Sequence, residues 1–408
     1  MRPVHRILLL SSVGALGGAE CSLLQLASTV NRNRFEPVLV TIGDGPLCDA
    51  ARANGVTTIA LPVARSFERT SLRARRSGLF ALAAGAAAAL PLVQRVRALI
   101  RDIEPSIVHT NGNKAHVVGT AAALATSAAV VWHVRDFLLD RPFERILAQA
   151  ANRRTAAIVT NSAAVGACCT DIGFDMARVH VIPNGIDCRL FSPDGAGAGL
   201  RRECGWPDDA RLVITVGALA PWKGHDLFLD AAAAIHRSDP STRFLIVGSE
   251  LYVTDGHGGY ADVLRRQAAA LGLERVVRLA GQRRDMPAVL RDADVVVHVP
   301  REPEPFGRVV AEAMACGRPV VTILDGGIAE IAGRDRVVGA VADRTPDALA
   351  AAVLDALRNP QASAQAARGR QRIIDHFTAD VHARRIEAVY EAVIASPLAR
   401  AAAHVAVH

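Results

Sequence analysis

The sequence predicts an α/β fold of two doubly wound domains, each built on a parallel sheet, that face each other across a cleft. Short runs rich in β-branched residues alternate with longer stretches of Ala and Leu, a pattern typical of βαβ units. The alternation pauses at 192–199, where the chain is small, polar and rich in Gly. A length of 408 residues also fits two or three domains at roughly 150 residues each.

The first series contains seven candidate strands, because each apolar run is short and a helix-length segment separates most of them. They cover 7–10, 37–42, 57–61, 107–109, 130–134, 157–160 and 179–182. The run at 7–10 is too short for a signal peptide, so we expect it to be the first buried strand. In open parallel sheets the ligand lies beyond the carboxyl ends of the strands, so functional residues are expected in the loops after these runs.

The second series contains five candidate strands and then a helical end. They cover 212–216, 243–247, 276–279, 294–299 and 319–323, and helical segments follow from 346 onward. We expect a linker around 185–210. The predicted divisions are a first domain at 1–190, a second at 191–375 and a C-terminal helical tail at 376–408 that packs back on the first domain.

Composition excludes several classes of protein. Half of the residues are hydrophobic and 21% are charged, which excludes disordered, collagenous and coiled-coil chains. A net charge of +7 with 4% aromatic residues is a poor match to nucleic-acid binding. Lys114 and Lys223 are the only lysines, so each is expected to have a specific role. Lys223 follows a predicted strand, where a compact ammonium group can meet a diphosphate.

Cysteine usage and hydropathy indicate a cytoplasmic protein. The seven cysteines show no C-x-x-C pair or zinc-type spacing, which is typical of reduced thiols. The Ala-rich stretch 77–93 is shorter than the roughly 20 apolar residues that cross a membrane. A basic helix face has two interpretations, a solvated surface or peripheral contact with an anionic membrane. It consists of Arg65, Arg69, Arg73 and Arg76.

Two loops of the first domain carry candidate site residues. Gly17 and Gly18 precede a helical segment, which suits either a phosphate cradle or a tight turn. His133, Arg135 and Asp136 end the fifth run, where they can bind a substrate hydroxyl or cap local backbone.

The strongest signal is the segment 303–321, PEPFGRVVAEAMACGRPVV. Glu304 lies in a Pro-rich loop, and Gly307 precedes a short helix whose first amides can bind an anion or sugar oxygens. Glu312 has apolar neighbours and is poorly placed for solvent, but it can accept hydrogen bonds from ribose hydroxyls. The D-x-D pair at 292–294 precedes a buried strand instead of following one, so we expect no metal site there.

Together these residues resemble the retaining glycosyltransferases of family 4, which have the GT-B fold of two Rossmann-like domains. The resemblance extends over nearly the whole chain, and its most specific part is the E-x7-E segment from Glu304 to Glu312 with the AMACGRPV that follows. The other matching positions are Gly17-Gly18-Ala19-Glu20, His133, Pro183-Asn184-Gly185-Ile186-Asp187, Lys223-Gly224, and Gly326-Gly327 with Glu330.

The resemblance implies transfer of a hexose-type sugar from a nucleotide-diphosphate sugar to a hydroxyl of a glycan, a lipid-linked acceptor or a small molecule. It implies no cofactor and no required metal, with the donor bound mainly by the second domain and the acceptor by the first. The implied donor-binding residues are Gly17, Gly18, Lys223, Phe306, Gly307, Arg308, Val309 and Glu312. The implied catalytic residues are His133, Glu304 and Lys223, and the acceptor-side candidates are Lys114, Arg135 and Asp136.

One position departs from the family pattern. The family usually has Arg after the glycine at Gly217, and this chain has Ala218. Either Arg308, Arg301 or Arg135 replaces the missing cation, or the enzyme is slow or altered. The alternatives to a transferase are a nucleotide-sugar epimerase or hydrolase on the same fold and a non-catalytic nucleotide-sugar binder.

Overall fold

The chain divides into two units. The computed structural model describes residues 3–62, 79–138, 141–250, 258–334 and 337–396. The first unit ends at Gly185 and takes up the chain again at Ala379, and the second unit spans Ile186–Thr378. These divisions lie five and three residues from the boundaries expected at 190 and 376.

The first unit is a parallel sheet of seven strands in the order β3-β2-β1-β4-β5-β6-β7. Its elements are β1 (His5–Ser11), α1 (Gly18–Thr29), β2 (Phe35–Ile42), α2 (Pro46–Ala53), β3 (Thr57–Leu61), α3 (Leu79–Ile103), β4 (Ile107–Asn111), α4 (Asn113–Ala123), β5 (Ala129–Val134), α5 (Pro142–Arg154), β6 (Ala157–Thr160), α6 (Ala163–Asp171) and β7 (Val179–Val181). Each of the seven predicted runs overlaps one of these strands, because continuous apolar runs are typical of a sheet buried on both faces.

The second unit is a parallel sheet of six strands in the order β10-β9-β8-β11-β12-β13. Its elements are α7 (Leu200–Glu203), β8 (Arg211–Val216), α8 (His225–Ser238), β9 (Thr242–Val247), α9 (Tyr260–Ala270), β10 (Val277–Gly281), α10 (Met286–Asp292), β11 (Val295–His298), α11 (Arg308–Ala315), β12 (Val320–Thr322), α12 (Gly327–Ala332), β13 (Gly339–Ala340), α13 (Pro346–Arg358) and α14 (Ala362–His376). The sequence analysis missed β13, because a two-residue Gly-Ala strand has no apolar pattern.

The last helix, α15 (Ala379–Ala395), packs in the first unit. It buries Ala383, Ile386, Val389, Tyr390 and Val393, a spacing that forms one apolar face of a helix. That face joins the core on one side of the sheet, together with alternate residues of β1 such as Ile7 and Leu9. Helices α3 and α4 cover the opposite side, where Leu8 and Leu10 point.

The D-x-D carboxylates brace the second unit. Asp292 accepts a hydrogen bond from the Leu200 amide at 2.8 Å. Asp294 accepts bonds from the Leu212 amide at 2.7 Å and from Arg201 at 2.6 Å. Asp292 therefore fixes the start of α7, and Asp294 connects α7 to β8.

Two predictions concern membranes. Arg65, Arg69, Arg73 and Arg76 lie outside the described residues, so their predicted basic face stays a prediction. Within the described ranges, no helix combines the length and the apolar composition that crossing a membrane requires.

Candidate functional site

Three neighbouring strands of the second unit end at loops that carry predicted site residues. The sheet order places β8, β11 and β12 side by side, and because they are parallel their carboxyl ends lie at one edge. Lys223 follows β8, Glu304 follows β11, and the turn at Gly326 and Gly327 follows β12.

Lys223 and Glu304 form a partly buried ion pair. The Lys223 Nζ donates to both carboxylate oxygens of Glu304, at 3.0 and 2.9 Å. His298, at the end of β11, places its Nε2 3.5 Å from one of the same oxygens. Burial by itself raises the pKa of the Glu304 carboxyl, but the charge of Lys223 and the neighbouring His298 outweigh burial and lower the pKa to about 2. Glu304 is therefore an anion at every physiological pH.

Glycine is required where the loops of this edge meet. Gly224, next to Lys223, has a φ of 74°, and a Cβ there would lie 2.1 Å from the Val299 carbonyl oxygen. Gly326 has a φ of 56°, and its Cβ would lie 2.3 Å from the Glu304 carbonyl oxygen. The Gly327 amide donates to that carbonyl at 2.8 Å. The Gly-Gly turn therefore holds the backbone of the Glu304 loop.

Helix α11 begins four residues after Glu304. Gly307 caps it with a φ of 92°, where a Cβ would lie 2.6 Å from the Ile328 side chain. Phe306 packs its ring against Phe377, with centroids 6.3 Å apart, so only its backbone is available to a ligand. Val309, the second residue of α11, is half-buried. The first amides of α11 are the groups of this segment that can bind an anion.

Arg308 and Glu312 pair along α11. The Arg308 Nε donates to the Glu312 Oε1 at 2.7 Å, and Glu312 is only 8% exposed. Burial raises the pKa of the Glu312 carboxyl, and the charge of Arg308 opposes that rise. Glu312 is therefore buried, as its apolar neighbours predict.

Ala218 lies where the family usually has Arg, and its carbonyl oxygen accepts a hydrogen bond from the His225 Nε2 at 3.0 Å. Burial lowers the pKa of His225 to about 4, so the imidazole is neutral. Two of the predicted substitutes for the missing cation are paired with carboxylates. Arg301 binds Asp226 through Nε and Nη2, and Arg308 binds Glu312.

The first unit places His133 and Arg135 in a buried polar cluster at the end of β5. His133 is fully buried, and its Nε2 has no hydrogen-bond partner within the described residues. Arg135 is 5% exposed and donates to His133, to the Asn111 side chain and to the Asn184 side chain. His133 does not present an open surface to a sugar in this conformation.

The remaining first-unit candidates lie in more open positions. Asp136 is exposed, and Lys114 is half-buried in the first turn of α4. Gly17 caps α1 and Gly18 is its exposed first residue. Glu20 folds back onto this turn, since a Cβ at Gly17 would lie 2.9 Å from its carboxylate, and burial raises the pKa of Glu20.

Sequence reasoning missed four polar residues: His298 beside Glu304, Asn111 beside Arg135, and His109 and Tyr390, which lie 2.8 Å apart with His109 3.2 Å from His133. His298 lies in the buried run of β11, and His109 lies in the buried run of β4. Tyr390 lies far along the chain, and Asn111 ends β4. A polar residue inside an otherwise apolar strand was the available signal for both histidines, because buried polar groups need partners.

Two family models match this chain. The model described as "Glycosyltransferase Family 4" matches residues 16–190, and the model described as "Glycosyl transferases group 1" matches residues 199–372.

Curated relatives match over part of the chain. The D-inositol 3-phosphate glycosyltransferase of Mycolicibacterium vanbaalenii is 41% identical over 177 residues, which cover 41% of this chain and 38% of that protein. The enzyme of the same name from Salinispora tropica is 34% identical over 235 residues, covering 54% and 47%. The matched segments therefore span less than half the length of these relatives.

Solved structures match over nearly the whole chain. HepE from Anabaena in complex with UDP and glucose has a TM-score of 0.79 and 25% identity, covering 95% of this chain and 99% of that chain. The sucrose-phosphate synthase of Thermosynechococcus elongatus, with a TM-score of 0.78 and 21% identity, covers 96% and 99% and shows the likeness of fold. The predicted fold class and family are confirmed: this chain belongs to the group 1 glycosyltransferases of family 4 and has the GT-B fold.

Proposed function

We propose that this chain is a retaining glycosyltransferase that moves a hexose from a UDP-sugar to an acceptor hydroxyl without a metal ion. The observation that carries the proposal is the arrangement at one sheet edge of the second unit. There Lys223, Glu304 and the first amides of α11 lie together, with the buried Glu312 eight residues after Glu304. The UDP-glucose complex of HepE supports UDP and a hexose as the donor.

Each group of the second unit has a proposed role in donor binding. Lys223 and the first α11 amides bind the diphosphate, because an ammonium group and a helix amino terminus both favour phosphate oxygens. Glu312 accepts hydrogen bonds from the ribose hydroxyls. Glu304 accepts hydrogen bonds from the hexose hydroxyls, and the backbone amides of Phe306 and Gly307 donate to hexose oxygens.

The proposed reaction uses no protein nucleophile. The acceptor oxygen bonds to the anomeric carbon on the face from which the diphosphate leaves, the bond from that carbon to the phosphate oxygen breaks, and the acceptor proton passes to a phosphate oxygen. Negative charge develops on the leaving diphosphate, so the main catalytic task is to stabilise that charge. Lys223 and the α11 amides perform this task.

The first unit is proposed to bind the acceptor. Lys114, Arg135 and Asp136 are the acceptor-side candidates. Lys114 and Arg135 supply cations and hydrogen-bond donors to hydroxyl or phosphate oxygens, and Asp136 accepts hydrogen bonds from hydroxyls. His133 is proposed to contact the transferred sugar. The D-inositol 3-phosphate named for the relatives supports a small phosphorylated polyol as the first acceptor to assay.

Ala218 favours one alternative, a nucleotide-sugar binder without turnover. Arg301 and Arg308 are engaged by Asp226 and Glu312, so neither supplies the missing charge unless it exchanges partners. Donor consumed only when an acceptor is present supports the transferase. Donor consumed without an acceptor indicates the hydrolase or epimerase, and donor bound without any turnover indicates the binder.

The testing experiment is a thermal-shift panel of UDP-, GDP- and ADP-sugars on the wild type, Glu312→Ala and a control variant, Glu274→Ala. A ligand that binds only the folded state raises its stability by RT ln(1 + [L]/Kd). We expect a shift with the UDP-sugars that disappears in Glu312→Ala and persists in Glu274→Ala, whose side chain is exposed in the same unit. A shift that survives Glu312→Ala unchanged contradicts the proposed donor site.

A further inference from the structure

A chain of buried side chains joins helix α15 to the end of β5. The Tyr390 hydroxyl lies 2.8 Å from the His109 Nδ1. The His109 Nε2 lies 3.2 Å from the His133 Nδ1, and the Arg135 Nη2 lies 3.2 Å from the same His133 nitrogen. All four residues are 5% exposed or less.

The sheet register explains why these residues meet. His109 of β4 is level with Val131 of β5, and Asn111 is level with His133. Side chains two residues apart in a strand share a face, so His109 and His133 project on the same side of the sheet. Helix α15 covers that side, and Tyr390 is held there by an edge contact with Phe35 at 5.5 Å.

The hydrogen bonds of this chain have one consistent direction. A guanidinium group only donates, so the His133 Nδ1 accepts from Arg135. Burial, with the charge of Arg135 next, lowers the pKa of both His133 and His109 well below the ordinary value, so each ring is neutral and has one proton. His133 therefore has its proton on Nε2. The His133 Nδ1 lone pair is then shared by two donors, Arg135 and the His109 Nε2–H, and the His109 Nδ1 accepts.

The Tyr390 hydroxyl is the donor at the other end of this series of hydrogen bonds. Burial raises the pKa of the Tyr390 phenol, so the phenol keeps its proton and donates it to the His109 Nδ1. The reverse arrangement would place a proton on the His133 Nδ1, directly facing an Arg135 N–H donor. The His133 end of this series of hydrogen-bonded side chains thus presents an Nε2–H that has no acceptor within the described residues. A buried donor without a partner is costly. His133 is fully buried, so we expect an oxygen atom of a ligand to become its partner when binding opens the cluster that covers this ring.

We propose that Tyr390 and His109 are positioning residues that hold His133 as the Nε2–H tautomer, so that His133 donates a hydrogen bond to an oxygen atom of bound substrate and does not accept a proton. The inference rests on the proposed function, because the substrate is the one proposed above. It assigns a role in the site to the C-terminal helix α15, which contributes Tyr390.

The first test reads the tautomer directly and needs no substrate. Two-bond ¹H–¹⁵N correlation spectra of the ¹⁵N-histidine-labelled chain distinguish the two tautomers, and the His133 signals are identified by their loss in His133→Gln. We expect the Nε2–H tautomer in the wild type. In Tyr390→Phe, which keeps the ring and loses the hydroxyl, we expect the His109 and His133 signals to shift. An Nδ1–H tautomer or a cationic His133 in the wild type would overturn the proposal.

The second test separates positioning from simple destabilisation. In Tyr390→Phe we expect kcat to fall by about 3- to 10-fold, the equivalent of one hydrogen bond, with the donor KM unchanged within twofold. His109→Gln keeps an N–H donor towards His133 and is expected to retain more activity than His109→Leu. Tyr260→Phe, which removes a phenol hydroxyl from the second unit, is the control for folding. Equal activity in His109→Gln and His109→Leu would contradict the positioning role.

The two tests distinguish failure of this inference from failure of the proposed function. If no sugar donor supports turnover, the proposed function fails, while the spectra still report the tautomer. Titration of a UDP-hexose into the labelled chain then decides the role of the Nε2–H, because a bound substrate oxygen shifts that signal. An Nε2 signal that stays unchanged at saturating donor and acceptor would refute the donation.

Discussion

Glu304→Gln removes the carboxylate that the Lys223 ammonium contacts through both of its oxygens, at 3.0 and 2.9 Å. A pKa of about 2 in place of 4.5 corresponds to about 3 kcal/mol of stability at neutral pH from the ionised, paired carboxylate. Loss of one partner of a partly buried pair leaves the other charge uncompensated, which costs a similar amount. We therefore expect the free energy of unfolding to fall by about 3 kcal/mol at pH 7.

The pH dependence of this loss has a definite sign. The folded-state pKa of Glu304 is depressed, so its contribution is fully present above 4.5 and disappears as the pH falls towards 2. The difference between wild type and Glu304→Gln is expected to shrink to about half between pH 7 and pH 3. Chemical denaturation at both pH values measures it, and Glu274→Gln, an exposed substitution in the same unit, is the control.

The same variant is expected to bind UDP more tightly, although its fold is less stable. In the free wild type, Lys223 is paired with Glu304, and a bound diphosphate must compete for that ammonium group. Glu304→Gln removes the competitor, so we expect UDP to bind about tenfold more tightly while sugar transfer falls. Calorimetric titration with UDP measures the affinity. An unchanged unfolding free energy at pH 7, or weaker UDP binding than in the wild type, would refute this reasoning.

Three further substitutions follow from the same sheet edge. Gly326→Ala places a Cβ 2.3 Å from the Glu304 carbonyl oxygen at a φ of 56°, so chemical denaturation should show that the free energy of unfolding falls by about 2–4 kcal/mol. The control, Gly18→Ala, should change it little, because nothing lies within 4 Å of a Cβ at that position. Glu312→Gln should lower the unfolding free energy by less than Glu304→Gln does, because burial raises the pKa of Glu312 whereas Lys223 lowers that of Glu304, while titration shows UDP binding weakened about 10- to 100-fold. Equal UDP affinity in the two forms would contradict the ribose role. Ala218→Arg should raise kcat about tenfold if the missing cation limits turnover, and an unchanged kcat would show that another group supplies that charge.

The residue order alone determined the two series of strands and the loops that matter. Continuous apolar runs such as 7–10 allow little besides a strand buried on both faces, and parallel strands place ligand sites at their carboxyl ends. Lys223 and the segment from Glu304 to Glu312 could therefore be placed at one sheet edge. Strand β13 could not be predicted, since Gly339 and Ala340 have no strand pattern and pair only because β12 is beside them.

Only the tertiary structure decided which polar groups face one another. Lys223 and Glu304 are 81 residues apart, and Tyr390 lies 281 residues from His109, yet each pair lies within hydrogen-bond distance. Local sequence patterns report periodicity within a segment, whereas hydrogen bonds between segments depend on strand order and on where α15 packs. The buried state of His133, and with it the direction of its proton, follows from that packing because burial and the neighbouring Arg135 together determine which nitrogen has the proton.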